Sequence, residues 1–291
     1  VNVDLDNFPF KTGKQEATYH PEFVQWIDHR KDFLRAAGNP TIPTMFGHAN
    51  SFHRWGMLGN GPDDTVFPGF QGGGDCTIAS GENETKESVT NSGRLSLAQA
   101  AALFNGKTAI GDYKANCPGY NEHTGENDNG CDMGAVMTYR QKVGLLDLLG
   151  TRHKIGPFVA AEPGNPQHIA EIAYLFESCN LGIMLYSSAQ DQFSKAEQNG
   201  TTPIWSWVAG SESVGGHCVP VMGRPAAGYL AAVTWELRTV LTSKLLEKTC
   251  EEAYGYVTGE SFNRVTGKTY EGFDHTQLEE YLHNVHVRRV K

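Results

Sequence analysis

The sequence predicts an α+β fold, and three observations predict it. Apolar residues recur at helical spacing up to residue 179, most clearly in 166–179, where Ile169, Ile172, Ala173, Leu175 and Phe176 share one side. Beyond residue 181 the apolar runs become strand-like, and 217–223 and 229–235 flank an Arg-Pro-Ala-Ala-Gly turn as a hairpin. The 291 residues are 39% apolar and 20% charged, a globular composition with room for one large domain or two small ones. Helices first and antiparallel strands later is the α+β order.

The elements follow in sequence. Residues 1–16 form a polar arm with Val3, Leu5, Phe8 and Phe10 as its apolar anchors, too few for a core of their own. The spacing predicts a helix over 20–34, ended by Gly38 and Pro40. The stretch 40–74 is rich in Gly and Pro and reads as irregular; stretches that long are functional or wrapped around something. A helix with a polar first segment starts at Cys76, and 95–104 is a stronger helix. Residues 106–130 read as a loop-rich insert, and 133–143 as an amphipathic helix closed by Gly144. A strand over 155–161, the 166–179 helix, a buried strand over 181–185 and the hairpin come next. A helix over 239–254 and a short one over 278–282 complete the chain. The expected division is an arm and helix over 1–54, a main domain over 55–260 and an extension over 261–291. Within the main domain the helical half spans about 75–180 and the β half about 181–260.

Lys and Arg number 24 against 33 Asp and Glu, a net charge of −9, which argues against a nucleic-acid partner because phosphate neutralisation needs clustered cations. No stretch approaches the ~20 apolar residues of a bilayer span, so none is predicted. Six cysteines are too few for a disulfide scaffold at this length, although Cys117 and Cys131 bracket a Gly/Asn-rich loop and could bridge each other. Residues 126–132 alternate oxygen ligands as a calcium loop would, but the loop lacks its flanking helix and closing glutamate and reads as a polar turn. Cys76, His217 and Cys218 lack the C-x2-C or H-x3-H spacing of zinc sites. No Walker loop or GxGxxG occurs, and no metal or cofactor is expected.

The sharpest chemical signal is Gln71-Gly72-Gly73-Gly74-Asp75-Cys76-Thr77, a glycine loop delivering a cysteine to a helix start. A thiolate there feels the positive end of the helix dipole and free backbone N–H groups, which also suit an oxyanion. The second signal is Gly215-Gly216-His217-Cys218-Val219, a histidine opening an apolar strand. A nucleophilic cysteine draws its base from a distant part of the sequence, so Cys76 and His217 are the expected catalytic pair.

With these motifs the chain resembles the papain-like cysteine peptidase superfamily. His217-Cys218-Val219 is similar to the family's His-Ala-Val, and Val233-Thr234-Trp235-Glu236 to its Asn-Ser-Trp-Gly. A finer resemblance is to papain-like-fold proteins encoded by bacteriophages and their hosts. It rests on Trp55-Gly56-Met57-Leu58-Gly59-Asn60, Gly74-Asp75-Cys76, Asp132-Met133-Gly134, Gly215-Gly216-His217 and Thr234-Trp235, five motifs in register.

The resemblance implies a papain-like α+β fold, a Cys76 nucleophile, a His217 base, and an oxyanion hole from Gln71 or Asn60 with the Cys76 N–H. It implies a virion-associated capsid or tail protein, a degenerate cysteine hydrolase whose partners are other virion subunits or a host-surface polymer. An active peptidase or amidase on a peptide or cell-wall substrate, and a non-enzymatic surface-binding or decoration protein, are the alternatives. Three departures bear on the choice. The family's oxyanion amide lies six positions before the cysteine, where this chain has Phe70. The orienting Asn is replaced by Val233, and loss of the orienter costs about 10⁴ in kcat in the analogous serine triad. Glu236 stands where the family has Gly.

Overall fold

The structure, a computed structural model, describes residues 11–48 and 73–289. The arm leads into β1 (Val24–Gln25) and α1 (Trp26–Ala36), which buries Trp26 and Phe33. Then come α2 (Cys76–Asn91), α3 (Leu97–Ala101), α4 (Gly106–Asn116) and α5 (Met133–Lys142). Three short strands follow, β2 (Leu145–Leu146), β3 (Arg152–His153) and β4 (Phe158–Ala160). Next are α6 (Pro166–Phe176), β5 (Cys179–Tyr186), α7 (Ser187–Gln198), β6 (Ile204–Trp205), β7 (Ser213–Gly223) and β8 (Tyr229–Thr234). The chain closes with β9 (Leu237–Thr242), α8 (Ser243–Thr249), β10 (Cys250–Tyr256) and α9 (His275–Arg289).

One mixed sheet runs β1-β4-β10-β5-β7-β8-β9-β6, antiparallel except for the parallel outer pairs β1–β4 and β9–β6. Side-chain alternation gives it two packed faces. One buries Val219 and Val221 of β7 with Ile183 of β5, Trp26 and Phe33 of α1, and Ile169 and Ile172 of α6. The other carries Cys218 beside Cys76 and Met222 beside Ile78 of α2.

α2 is buried over nearly its whole length although most of its side chains are polar. Part of its charge is met inside the fold, around Glu84. Glu84 accepts from Arg140 Nη1 at 2.7 Å and from Asn180 Nδ2 at 3.0 Å, while Arg140 Nη2 donates to Tyr256 Oη at 2.8 Å. The Cys218 thiol donates to Asn180 Oδ1 at 2.7 Å, so one network ties α2, α5, β5, β7 and β10.

Two expected segments differ. Residues 106–130 hold α4, nucleated by an Asn105 cap whose side chain accepts from Lys107 N and Thr108 N. Residues 239–254 are not one helix. Thr239, Val240 and Leu241 pair with β8, Thr242 caps the short α8, and β10 pairs with β5 and β4, so sheet pairing overrides the local helical spacing. Cys117 and Cys131 do not bridge: all six cysteines are free and buried. Among the described residues no helix is long and apolar enough to cross a membrane, and no group of three potential ligands is placed to hold a metal ion.

The network gives a stability prediction. Arg140→Met strands the buried Glu84 carboxylate and is expected to cost about 3–5 kcal/mol in urea unfolding. Adding Glu84→Gln should recover part of that loss, and a cost below 1 kcal/mol for the single variant would contradict the assignment.

Candidate active site

Cys76 is the first residue of α2, as the glycine loop predicts, but its thiol is buried. Burial pushes its pKa up to about 12, with Asp75 adding to the rise and backbone groups of Cys218 and Gly13 opposing it. The depressed thiol expected of a helix start is therefore corrected: desolvation outweighs the helix dipole and the backbone groups.

His217 lies within β7 and is fully buried. It pairs across the sheet with Ile183, and alternation sends it to the face opposite Cys218. Its Nε2 shares a 2.8 Å hydrogen bond with Thr234 Oγ1, and its ring stacks on Trp235 with centroids 4.6 Å apart. Trp205 stands 6.3 Å away. Among the described residues Nδ1 has no hydrogen-bond partner, so no hydrogen bond joins it to Cys76. Burial alone pushes the imidazole pKa down to about 3. The two groups thus rest as a neutral thiol and a neutral imidazole.

Val233 points the other way, into the cluster with Ile78 and Met222. The far nitrogen of His217 is held by the next residue, Thr234, which sequence reading passed over. The hairpin explains the shift. Thr234 pairs with Leu237 across a two-residue turn in which Trp235 and Glu236 take φ of 46° and 67°. Both positive values suit a type I′ turn, where Gly is the unstrained choice, so Glu236 is a turn residue and no substitute orienter. Gln71, Asn60 and the Trp55–Asn60 motif lie outside the described residues.

Sequence reading marks 1–16 as an arm but misses the path of its described part; the anchors Val3, Leu5, Phe8 and Phe10 lie outside the described residues. Gly13 N and Lys14 N donate to Gly216 O at 3.1 and 2.9 Å; on the other side Cys131 N donates to Gly13 O at 2.8 Å and Gln15 N to Cys131 O at 3.0 Å. The arm therefore threads between the start of β7 and the residue before Asp132, the α5 cap, passing the Cys76 loop. Gly74 N is held there by the Asp128 carboxylate at 2.9 and 3.1 Å, so the predicted turn at 126–132 acts as a clamp. A Cβ at Gly216 would collide with the Lys14 carbonyl, and one at Gly13 with the Gly74 carbonyl. The glycine pair before His217 is thus required by the passing arm.

Two predictions follow. Thr234→Val leaves Nε2 of a buried imidazole unsatisfied and is expected to cost about 1–3 kcal/mol in urea unfolding; an unchanged midpoint would refute the role. Between about 3 and the ordinary histidine pKa of about 6.5 the unfolded chain binds more protons at this position than the folded one. Its contribution is present above that range and lost as pH falls through it. His217→Gln should flatten the decline of unfolding free energy between pH 6 and 4, and an unaltered slope would exclude His217 as its source.

No family model matches the chain, and no curated protein matches it. Solved structures do. Xylellain, a cysteine protease from Xylella fastidiosa, superposes with a TM-score of 0.59 at 9% identity over 86% of this chain and 97% of that one. The proCathepsin B S9 of Trypanosoma congolense gives 0.53 at 11% identity over 86% and 87%. At these identities the likeness speaks for architecture alone. The chain has the fold of the papain-like cysteine proteases.

Proposed function

We propose that this chain is a bacteriophage virion-associated protein that uses the papain-like fold as a peptide-binding scaffold, with Cys76 and His217 a silent remnant of a hydrolase pair. The observation that carries the silent reading is the placement of His217: one nitrogen is committed to Thr234, the other has no partner among the described residues, and the ring is walled by Trp235 and Trp205. A dyad needs the base within hydrogen-bond reach of the thiol, and matched pKa values for the proton transfer. That no hydrogen bond joins the two groups among the described residues, and that burial raises the thiol pKa while lowering that of the imidazole, supports the silent reading. The strand-paired arm supports the scaffold role. The five motifs shared with phage proteins support the virion setting, with other virion subunits or a host-surface polymer as partners.

A second reading, an active cysteine peptidase or amidase, is favoured by one observation. Cys76 starts a helix with backbone groups of Cys218 and Gly13 beside its sulfur. In that reading the arm leaves, Cys76 attacks an acyl carbon, His217 shuttles the proton, and Gln71 or Asn60 joins the Cys76 N–H at the oxyanion.

Iodoacetamide labelling and an epoxide thiol probe at pH 6–8 separate the two. The silent reading expects Cys76 in the native protein to be labelled no faster than Cys179 and Cys250, all six thiols to react in denaturant, and no turnover of fluorogenic peptides. Selective native labelling of Cys76 with turnover would establish the second reading. Mass spectrometry of purified particles tests the virion setting, and absence from particles would remove it.

A further inference from the structure

We infer that the cleft crossed by the arm is a binding site for an extended peptide carrying a basic side chain, which the Glu251–Glu252 pair receives; this rests on the scaffold reading above. The arm itself displays the mode of binding. Lys14 is bridged to Gly216 on one side and Cys131 on the other, so its backbone sits as an added strand in a slot with partners on both edges. Added strands gain affinity from main-chain hydrogen bonds and specificity from side-chain pockets.

The Lys14 pocket is built for a long cation. Its side chain is fully buried, with Nζ 3.1 Å from both Glu251 Oε2 and Glu252 Oε1 and donating to Gln15 O at 2.7 Å. The stem crosses Gly182, where a Cβ would overlap Lys14 Cε and lie 2.6 Å from both Glu252 Cγ and Met133 Sδ. Tyr254 Oη donates to Glu252 Oε2 at 3.1 Å and fixes that carboxylate from behind. Burial works against the ammonium, yet the Glu252 and Glu251 carboxylates overcome it and raise the Lys14 pKa.

The site is selective by charge because a neutral side chain would leave two carboxylates in a half-closed pocket without a counter-ion. A cavity of about 210 Å³ adjoins it, walled by His20, Phe23, Glu251, Glu252 and Tyr254, and gives the peptide's neighbouring residue a place to lie. In the resting chain Lys14 is the occupant. A partner peptide with Lys or Arg at this position competes with it.

The test uses the full chain carrying Lys14→Ala and a fluorescent peptide of residues 11–18, Lys-Thr-Gly-Lys-Gln-Glu-Ala-Thr. Anisotropy should show this peptide binding at least about tenfold more tightly than the same peptide with Met for its second lysine, a difference of about 1.4 kcal/mol. Adding Glu251→Gln and Glu252→Gln should abolish the preference, and Gly182→Ala should abolish binding. Equal affinity for both peptides, or no binding by a variant whose circular dichroism and melting are native, overturns the pocket. A second measurement leaves the arm unsubstituted: in Glu251→Gln/Glu252→Gln the amides of Gly13, Lys14 and Gln15 should exchange with deuterium at least about tenfold faster than in the parent. Unchanged exchange also overturns it. Hydrolysis of the peptide would sink the silent-site reading and leave the pocket standing; lost charge selection without hydrolysis would do the reverse.

Discussion

The constraint on which the rest of the molecule depends is the burial of a polar helix. α2 has sixteen residues, and its carboxylates, amides and hydroxyls sit where most proteins place leucine and valine. Water cannot solvate them, so partners must come from elsewhere in the chain. Arg140 reaches Glu84 from α5, Asn180 from β5, and Ser261 donates to Ser88 from the loop after β10. Burial raises the pKa of Glu82 and pulls Lys86 down to about 8, one turn apart on the same helix. A register slip in any of these segments would strand a charge, which is why the sheet order and the helix positions are fixed together.

The same arrangement sets the character of the site. α2 can lie against only one face of β7, and that face presents Cys218. His217 is carried to the other face by the period of the strand, into the aromatic surroundings of Trp205, Trp235 and Phe193. The arm then fills the slot left between the β7 start and the α5 start. Cysteine and histidine are both where the motifs put them in sequence, and among the described residues no hydrogen bond joins them.

Much of this was legible beforehand. The helix start at Cys76, the amphipathic 166–179 segment and the hairpin around residue 226 were written in spacing and glycine placement, and they suffice for the fold class. The strands of 239–254 were hidden because Leu and Glu at helical intervals also occur in a strand–helix–strand run, and only their partners β8, β5 and β4 decide. Thr234 was hidden by counting along the motif instead of by side: strand alternation alone would have favoured it over Val233. The path of the arm was hidden, since main-chain pairing leaves no mark on composition; only the glycines at 13, 74 and 216 hinted that backbones meet there.

The six free, buried thiols carry a further consequence. No crosslink restrains the unfolded chain, so each excursion that opens the core exposes six reactive sulfurs at once. Six cysteines allow fifteen fully paired connectivities, none of them native. In an oxidising medium, unfolding is then a one-way passage, and the lifetime of the protein is set by how rarely it opens instead of by its equilibrium stability. In such a medium the height of the unfolding barrier, more than the depth of the native well, decides how long the six thiols stay reduced.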